Sequence, residues 1–234
     1  MRRILPLAAV VSLIGCSPGD WVRTGETRTE PLSIEKGKTE MAKIDVTMGA
    51  GQLQLRGGAA KLAEGTFTYN VDSWKPEVRF DNTGFRGHLT IKQGGPGANA
   101  GGNVKNEWDI RIANDVETDL TVNLGAGESE LNLGSVKLRS AEVHIGAGRC
   151  TLDLRGTPQR SSEVHIRGGV GEARVWVPKD AGVIAEAQGG LGEIDVRGLH
   201  KDGNSWTNDL YGKSKNTIRL DVRGGIGSIQ ISAE

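Results

Sequence analysis

The sequence predicts an all-β protein: a single-domain parallel β-helix, or solenoid, of stacked short-strand coils with glycine corners, with an antiparallel β-sandwich as the alternative. Three observations lead there. The stretch EVHIGAGRCTLDLRG, Glu142 to Gly156, returns along the chain with only its side chains changed, at intervals of about 21 residues through the centre. Such a period marks stacked units that cannot bury an apolar face alone. Inside each copy apolar and polar residues alternate, the period of a half-buried strand. Finally, there are 35 glycines in 234 residues, without a collagen period and without a run at helical spacing, which indicates tight turns rather than helices.

The repeat has an internal reversal. Val143 and Ile145 precede the corner Gly146 and Gly148; Cys150, Leu152 and Leu154 follow it. A flat strand would turn the second apolar set outward, because the side-chain period is two. Glycine can take positive φ, so the corner lets the chain bend and keep both sets on one side.

Taken in order, the chain begins with Met1-Arg2-Arg3 and an apolar run, Ile4 to Ile14, too short to span a membrane. It ends in Leu13-Ile14-Gly15-Cys16, which resembles the lipobox of bacterial lipoproteins. That resemblance implies a signal peptide over 1–15, cleavage before Cys16, and lipid attachment to its thiol. Ser17 rather than Asp follows, which favours the outer membrane where two membranes are present. Residues 16–38 are polar and without periodicity, the composition of a lipidated tether needing no fixed structure. Residues 39–234 form the expected solenoid domain. With Cys16 lipidated, Cys150 stands alone, a small inward residue matching Ser129 of the preceding copy.

The first copy of the pattern is KIDVTMGAGQLQLRGG, and Phe67, Tyr69 and Val71 alternate in the next strand. Trp74 is expected to cap an open end of the core. Gly94 to Asn103 is a glycine-rich surface loop separating an N-terminal part from the main array; it lacks the GxxxxGK[ST] pattern and following helix of a phosphate loop. The array then runs through Leu120, Val122, Leu124 and Leu131, the opening stretch, EVHIRGGVGEARVWVP, AEAQGGLGEIDVRG and RLDVRGGIGSIQI. Its later corners change from GAG to GGxG and gain Val170, Leu191 and Ile226, expected to fill the corner. Arg56, Arg155 and Arg197 are expected to bracket turns.

Lys plus Arg and Asp plus Glu both number 29, so no basic surface for nucleic acid is implied. Two sets of residues remain as candidate ligand contacts. Asn123, His144, His165, Glu186 and Asp221 fall just before the corners and are expected to form one outward polar row. His144, His165 and Glu186 at strand spacing have metal-ligand chemistry, but a wet sheet face requires polar residues there in any case, and no metal or other cofactor is expected. Trp206 and Tyr211, in the insertion from Leu199 to Asn216, either stack on a sugar or cap the terminal coil.

The runs MAKIDVTMGAGQLQLRGGA, YNVDSWKPEV and NEWDIRIANDVETDLTVNLGAGESELNL, with the GGxG coils, resemble the bacterial toast-rack domain, related to adhesin-like and LiaF-like cell-envelope proteins. The resemblance extends from about Met41 to Ile231 and implies an all-β solenoid with no catalytic residues to carry over. The expected function is accordingly a non-catalytic cell-envelope lipoprotein, exported and lipid-anchored, acting as an adhesin or a binding scaffold for an envelope protein or glycan. One alternative is an accessory to a membrane partner that senses envelope stress or antibiotic. Another is a carbohydrate-active enzyme using Glu128, Glu130 and Asp153, which would require one shielded carboxylic acid. The solenoid ends are open edges suited to homo-oligomer formation.

Overall fold

The computed structural model describes residues 24–95 and 103–234. Its strands, in chain order, are β1 (Arg28–Ile34), β2 (Met41–Ala59), β3 (Ala63–Tyr69), β4 (Pro76–Thr83) and β5 (Arg86–Gln93), with a single 3-10 turn at Asp72–Trp74. There follow β6 (Asn106–Ala113), β7 (Glu117–Asn132), β8 (Leu138–Asp153), β9 (Ser162–Val177), β10 (Gly182–Leu191) and β11 (Ile194–Arg197). The chain finishes with β12 (His200–Asp202), β13 (Ser205–Thr207) and β14 (Thr217–Ala233).

The long strands each hold a whole repeat. In β8, Ala141, Val143 and Ile145 are buried before the corner, and Cys150 and Leu152 after it. The parity reversal read in the sequence is therefore real: the strand folds at its glycines into two arms that enclose one interior. Gly148 makes the bend at φ 134°, and a Cβ there would lie 1.8 Å from the carbonyl oxygen of Gly127 in the adjoining rung. Glycine is required twice over, for dihedral and for space. A short return then starts the next rung; Val136 N–H donates to the Leu133 carbonyl, and Val136 is buried beneath.

The described strands belong to one mixed, open sheet whose main path is β1-β3-β6-β2-β7-β8-β9-β14-β10-β13-β12, with β5 also beside β2, β4 beside β5, and β11 beside β14. The central rungs β2, β7, β8, β9, β14 and β10 are parallel neighbours, as the solenoid reading requires. Both ends are antiparallel. At one end β4 pairs β5, while β1 pairs β3 and β3 pairs β6; at the other, β13 pairs β10 and β12. These reversed strands close off an array that parallel coils alone would leave open.

One expectation is corrected, and one arrangement is new. The tether reading over 16–38 does not hold for its C-terminal half, because Arg28–Ile34 is β1, paired along its length with β3 from Arg28↔Tyr69 to Ile34↔Ala63. Its alternation is masked by charged residues on an exposed outer strand, with Leu32 alone buried. The rungs also do not stack in sequence order. β14 lies between β9 and β10, with Leu220 beside Val164 on one side and Ala185 on the other. The segment between β10 and β14 reaches out as a hairpin, which is what lets the later strand enter the middle.

A single apolar cluster runs the length of the array, from Leu32 to Ala233. Trp74 is buried, though outside this cluster. Trp108, which the alternation did not single out, does more: its ring meets Phe67 edge to face at 5.1 Å, and its Nε1–H donates to Asn106 Oδ1 at 2.9 Å. Asn106 Nδ2 donates in turn to the Ala50 carbonyl at 2.6 Å and to Gln93 Oε1 at 2.9 Å, which also accepts the Gly49 N–H at 2.9 Å. This polar plug satisfies the corner backbone of β2, where no earlier corner is stacked on it.

Candidate binding surfaces

The outward rows on the first arm follow from the register. His144 stands opposite Asn123, but its neighbour on β9 is Arg167; His165 stands opposite Glu142 on one side and Asp221 on the other, and Asp221 opposite Glu186. The expected single row of Asn123, His144, His165, Glu186 and Asp221 is thus two rows. The reason is a change of repeat length: Leu120 pairs with Ala141, 21 residues on, whereas Ala141 pairs with Val164, 23 residues on. His144 Nε2 lies 3.0 Å from Glu142 Oε1 and His165 Nδ1 3.6 Å from Asp221 Oδ2. Each histidine has a carboxylate of its own, and among the described residues no group of three or more His, Cys, Asp or Glu is placed to hold a metal.

One row is acidic, with Asp45, Glu142, Asp221 and Glu186; the next carries Lys92, His144, Arg167 and Arg223. His88 Nε2 at 2.7 Å and Lys43 at 3.3 Å attend Asp45, and partial burial of its carboxyl is outweighed by these bonds, so its pKa falls below the ordinary value. Beside the corner, a shallow groove of about 550 Å³ runs between Thr47 and Arg167, floored by Leu124, Ile145 and the corner glycines. A second, polar groove of about 420 Å³ lies at the start of the first arm, where Arg139, Arg160 and Arg219 surround Ser161 and Thr217. Asp119 in it accepts from Arg139 Nε and from Ser140 Oγ, each at 2.6 Å, and these bonds overcome its partial burial to lower its pKa.

The corner is where the structure departs most from expectation. Across the rungs, the outward corner position reads Ala50, Ala126, Ala147, Val170, Ile226, Leu191. The last three do not fill the corner: they are 54, 54 and 71 % exposed. What fills the interior in the first rungs is the residue two positions earlier, Met48, Leu124 and Ile145, and its counterparts are Gly168, Gly224 and Gly189. Moving from GAG to GGxG therefore takes a large side chain off the inside and places one on the outside. Ile229 and Ile194 reach into the vacated space from the second arm, each with its Cδ1 within 3.6 Å of where a Cβ on Gly224 or Gly189 would stand. On β9 the corresponding second-arm residue is only Ala173, and a cavity of about 30 Å³ runs from Cys150, Gly168 and Ala173 on past Gly224 and Gly189.

Cys150 is 2 % exposed and burial pushes its thiol up to about 11, so it stays protonated and unreactive. Trp206 lies on β13, half-buried against the core, with Lys201 Nζ 5.7 Å from its ring centroid. Asn208 fixes the same segment, accepting from Val183 N–H and donating to the Ala181 carbonyl. Tyr211 is in the turn that follows, its N–H on the Asn208 carbonyl at 3.1 Å. The insertion pairs with the terminal rung through Ala185↔Trp206, the geometry of a cap.

The enzymatic alternative meets an obstacle at its carboxylates. Asp153 is partly buried, but hydrogen bonds from Arg155 outweigh that and hold its carboxyl below the usual range, the reverse of a general acid. Glu128 lies beside Arg149, which also bonds Glu172, and Glu130 faces Thr151 in the open row. The three arginines expected at turns are all paired, Arg56 with Asp109, Arg155 with Asp153 and Arg197 with Asp195. Cys16 lies outside the described residues, as do 96–102 of the glycine-rich loop. Among the described residues no helix is long and apolar enough to cross a membrane.

These surfaces define a class of protein: an open β-solenoid whose two outward faces are charged ladders and whose interior is consumed by structure. The model of the N-terminal domain of toast_rack matches residues 23–176, and that of the cell wall-active antibiotics response LiaF C-terminal domain matches 125–231. The chain belongs to the toast-rack family. A crystal structure of a Clostridium sporogenes protein, provisionally designated a cell adhesion protein, superposes with a TM-score of 0.85 at 33 % identity, covering 89 % of this chain and 100 % of that one. A similarly designated adhesin of Parabacteroides merdae is far more distant, at 12 % identity and a TM-score of 0.29 over 88 % of this chain and 96 % of that one. No curated protein matches.

Proposed function

We propose that this protein is a non-catalytic cell-envelope lipoprotein, anchored through Cys16, whose solenoid serves as a rigid scaffold presenting its outward rows to another envelope component. The observation that carries the reading is the division of labour in the repeat. Inward positions are spent on a continuous core, while outward positions vary in charge from rung to rung and line two shallow grooves. The similarity to the Clostridium sporogenes protein supports adhesion as the form this takes. A second reading, accessory to envelope-stress sensing, is favoured by the LiaF C-terminal match over 125–231.

Cys16→Ser tests the anchor: labelled palmitate and membrane-fraction recovery should both be lost, and retention of both would refute lipidation. Affinity capture from detergent extracts separates the two roles. Binding of whole cells to glycan or protein surfaces, without a stoichiometric membrane protein in the eluate, supports adhesion; one stoichiometric membrane partner supports sensing.

A further inference from the structure

The corner offers an internal comparison. Its outward position carries Ala50, Ala126 and Ala147 on three rungs and Val170, Ile226 and Leu191 on the next three, aligned as neighbours. The bend does not need a large residue there, since the alanine rungs make it too. Val170 stands between Gly169 and Gly171, Ile226 between Gly225 and Gly227, and Leu191 between Gly190 and Gly192. No side chain next to them in sequence shields them, and all three are more than half exposed. They form a straight apolar ridge with about 4.8 Å between members. An exposed row of this kind indicates a surface that is covered when the protein functions.

The charges beside the ridge do not say what covers it. Arg223 is held by Asp221 at 3.1 Å, and Glu172 by Arg149 at 3.1 Å and Arg174 at 2.7 Å, so these groups are satisfied within the chain. The place where the chain enters the fold says more. Gly25 N–H donates to the Asn70 carbonyl, Arg28 pairs with Tyr69, Tyr69 with Asn106, and Asn106 Nδ2 donates to the Ala50 carbonyl in the corner of β2. The chain therefore enters on the corner side. The opposite side, where the Phe85 carbonyl accepts from Glu40 and Met41 at the start of the first arm, lies the length of β5 away, about 26 Å. Eight peptide links join Cys16 to Thr24, and fully extended they span at most about 29 Å.

We infer that the ridge dips into the surface of the bilayer that holds the lipid anchor. The inference rests on the anchoring through Cys16 proposed above, which puts the membrane and the corner edge on the same side of the molecule. Apolar surroundings are open to this edge because the parallel ladder continues through the corner, with Val170 beside Ile226, Gly171 beside Gly227 and Ile226 beside Leu191. Entry therefore strands few backbone amides. Three aliphatic side chains bind a bilayer weakly by themselves, and the anchor supplies the effective concentration that makes the contact persist. The solenoid then lies along the membrane on its corner edge with both outward faces rising from it. The polar groove at Arg139, Arg160 and Arg219, at the start of the first arm, is turned away from the lipid and open to a partner.

The test uses the full lipidated chain in phosphatidylcholine vesicles. Cys150 is buried and Cys16 is occupied by lipid, so an environment-sensitive fluorophore can be placed at Ile226→Cys, or at Phe85→Cys on the opposite side, itself 60 % exposed. The unsubstituted chain sets the labelling background. Because inserted apolar groups sit at the headgroup boundary, quenching by nitroxide-labelled lipid should be about fivefold stronger at 226 than at 85. Adding Val170→Ser and Leu191→Ser, both at exposed sites, should lower the quenching at 226 about threefold, with thermal unfolding unchanged. Equal lipid quenching at 226 and 85, in chains that carry palmitate and sediment with the vesicles, would overturn the ridge contact and leave the anchor standing. So would shielding of 226 from aqueous iodide without lipid quenching, which would put a protein partner or a second copy on the ridge. Loss of both palmitate and vesicle recovery would instead overturn the anchor and this inference with it.

Discussion

Two glycines on neighbouring rungs should respond with opposite sign to the same substitution. Gly168 occupies the inward position that Ile145 fills on β8; a Cβ there would have no atom within 4 Å, and its φ lies outside the left-handed region. The added methyl enters the slot of about 30 Å³. Burying one methyl contributes about 0.8 kcal/mol, filling part of that cavity at most about 0.7 kcal/mol, and replacing glycine in a strand about 0.5 kcal/mol. These overlap, so Gly168→Ala should stabilise the fold by about 1 kcal/mol. At Gly148, by contrast, the methyl would stand 1.8 Å from the Gly127 carbonyl oxygen on a backbone at φ 134°. Strain alone costs about 1–3 kcal/mol, and separating the two rungs to relieve the clash adds to it. The assay is urea unfolding followed by tryptophan fluorescence, with Trp176 on β9 as the local reporter, alongside thermal unfolding. A gain of about 2–4 °C is expected for Gly168→Ala, and a loss of several times that for Gly148→Ala. Destabilisation by Gly168→Ala would show that the inward slot is not available to a side chain, and would refute the account of the GGxG corner.

Cys150 should resist maleimide in the native protein at neutral pH and react at once in denaturant, because it is buried and its thiol is pushed up to about 11; mass spectrometry of labelled chains reads this, and rapid native labelling would contradict the packing of β8. In acid, Asp119 contributes a measurable limb. Its folded-state pKa is depressed by Arg139 and Ser140 against the effect of burial, so the stabilisation is present above the ordinary carboxylate pKa and lost as pH falls through the lower folded value. Asp119→Asn should reduce the difference in urea midpoint between pH 6 and pH 3, and an unchanged difference would remove Asp119 from the account.

The interior of this fold was legible because it obeys local rules. Val143, Ile145, Cys150 and Leu152 announce two arms and a bend through parity alone, and the glycines between them say where the bend must be. What crosses from rung to rung was less legible. The sequence copies of His144 and His165 align by eye before their corners, yet two additional residues between β8 and β9 shift one past the other, and no local pattern records which row a residue joins. Val170 is harder to place for a related reason: it stands in the corner itself, one residue before Gly171 at φ 140°, where alternation no longer tells inside from outside. Trp108 and its bonds to Asn106 and Gln93 belong to contacts remote in sequence, and β1 hides its strand character under exposed charges.

The position of β14 has a consequence for how such a chain can assemble. A solenoid stacked in sequence order can add each rung to the last as it leaves the ribosome or a translocation channel. Here β10 emerges before the strand it must pair with, and β9 waits with an unpaired edge until residues some fifty positions later arrive to lie against it. The terminal third of the array can reach its final pairing only once β14 is present, so the insertion of one strand between two others makes β9 and β10 depend on the last stretch of the chain.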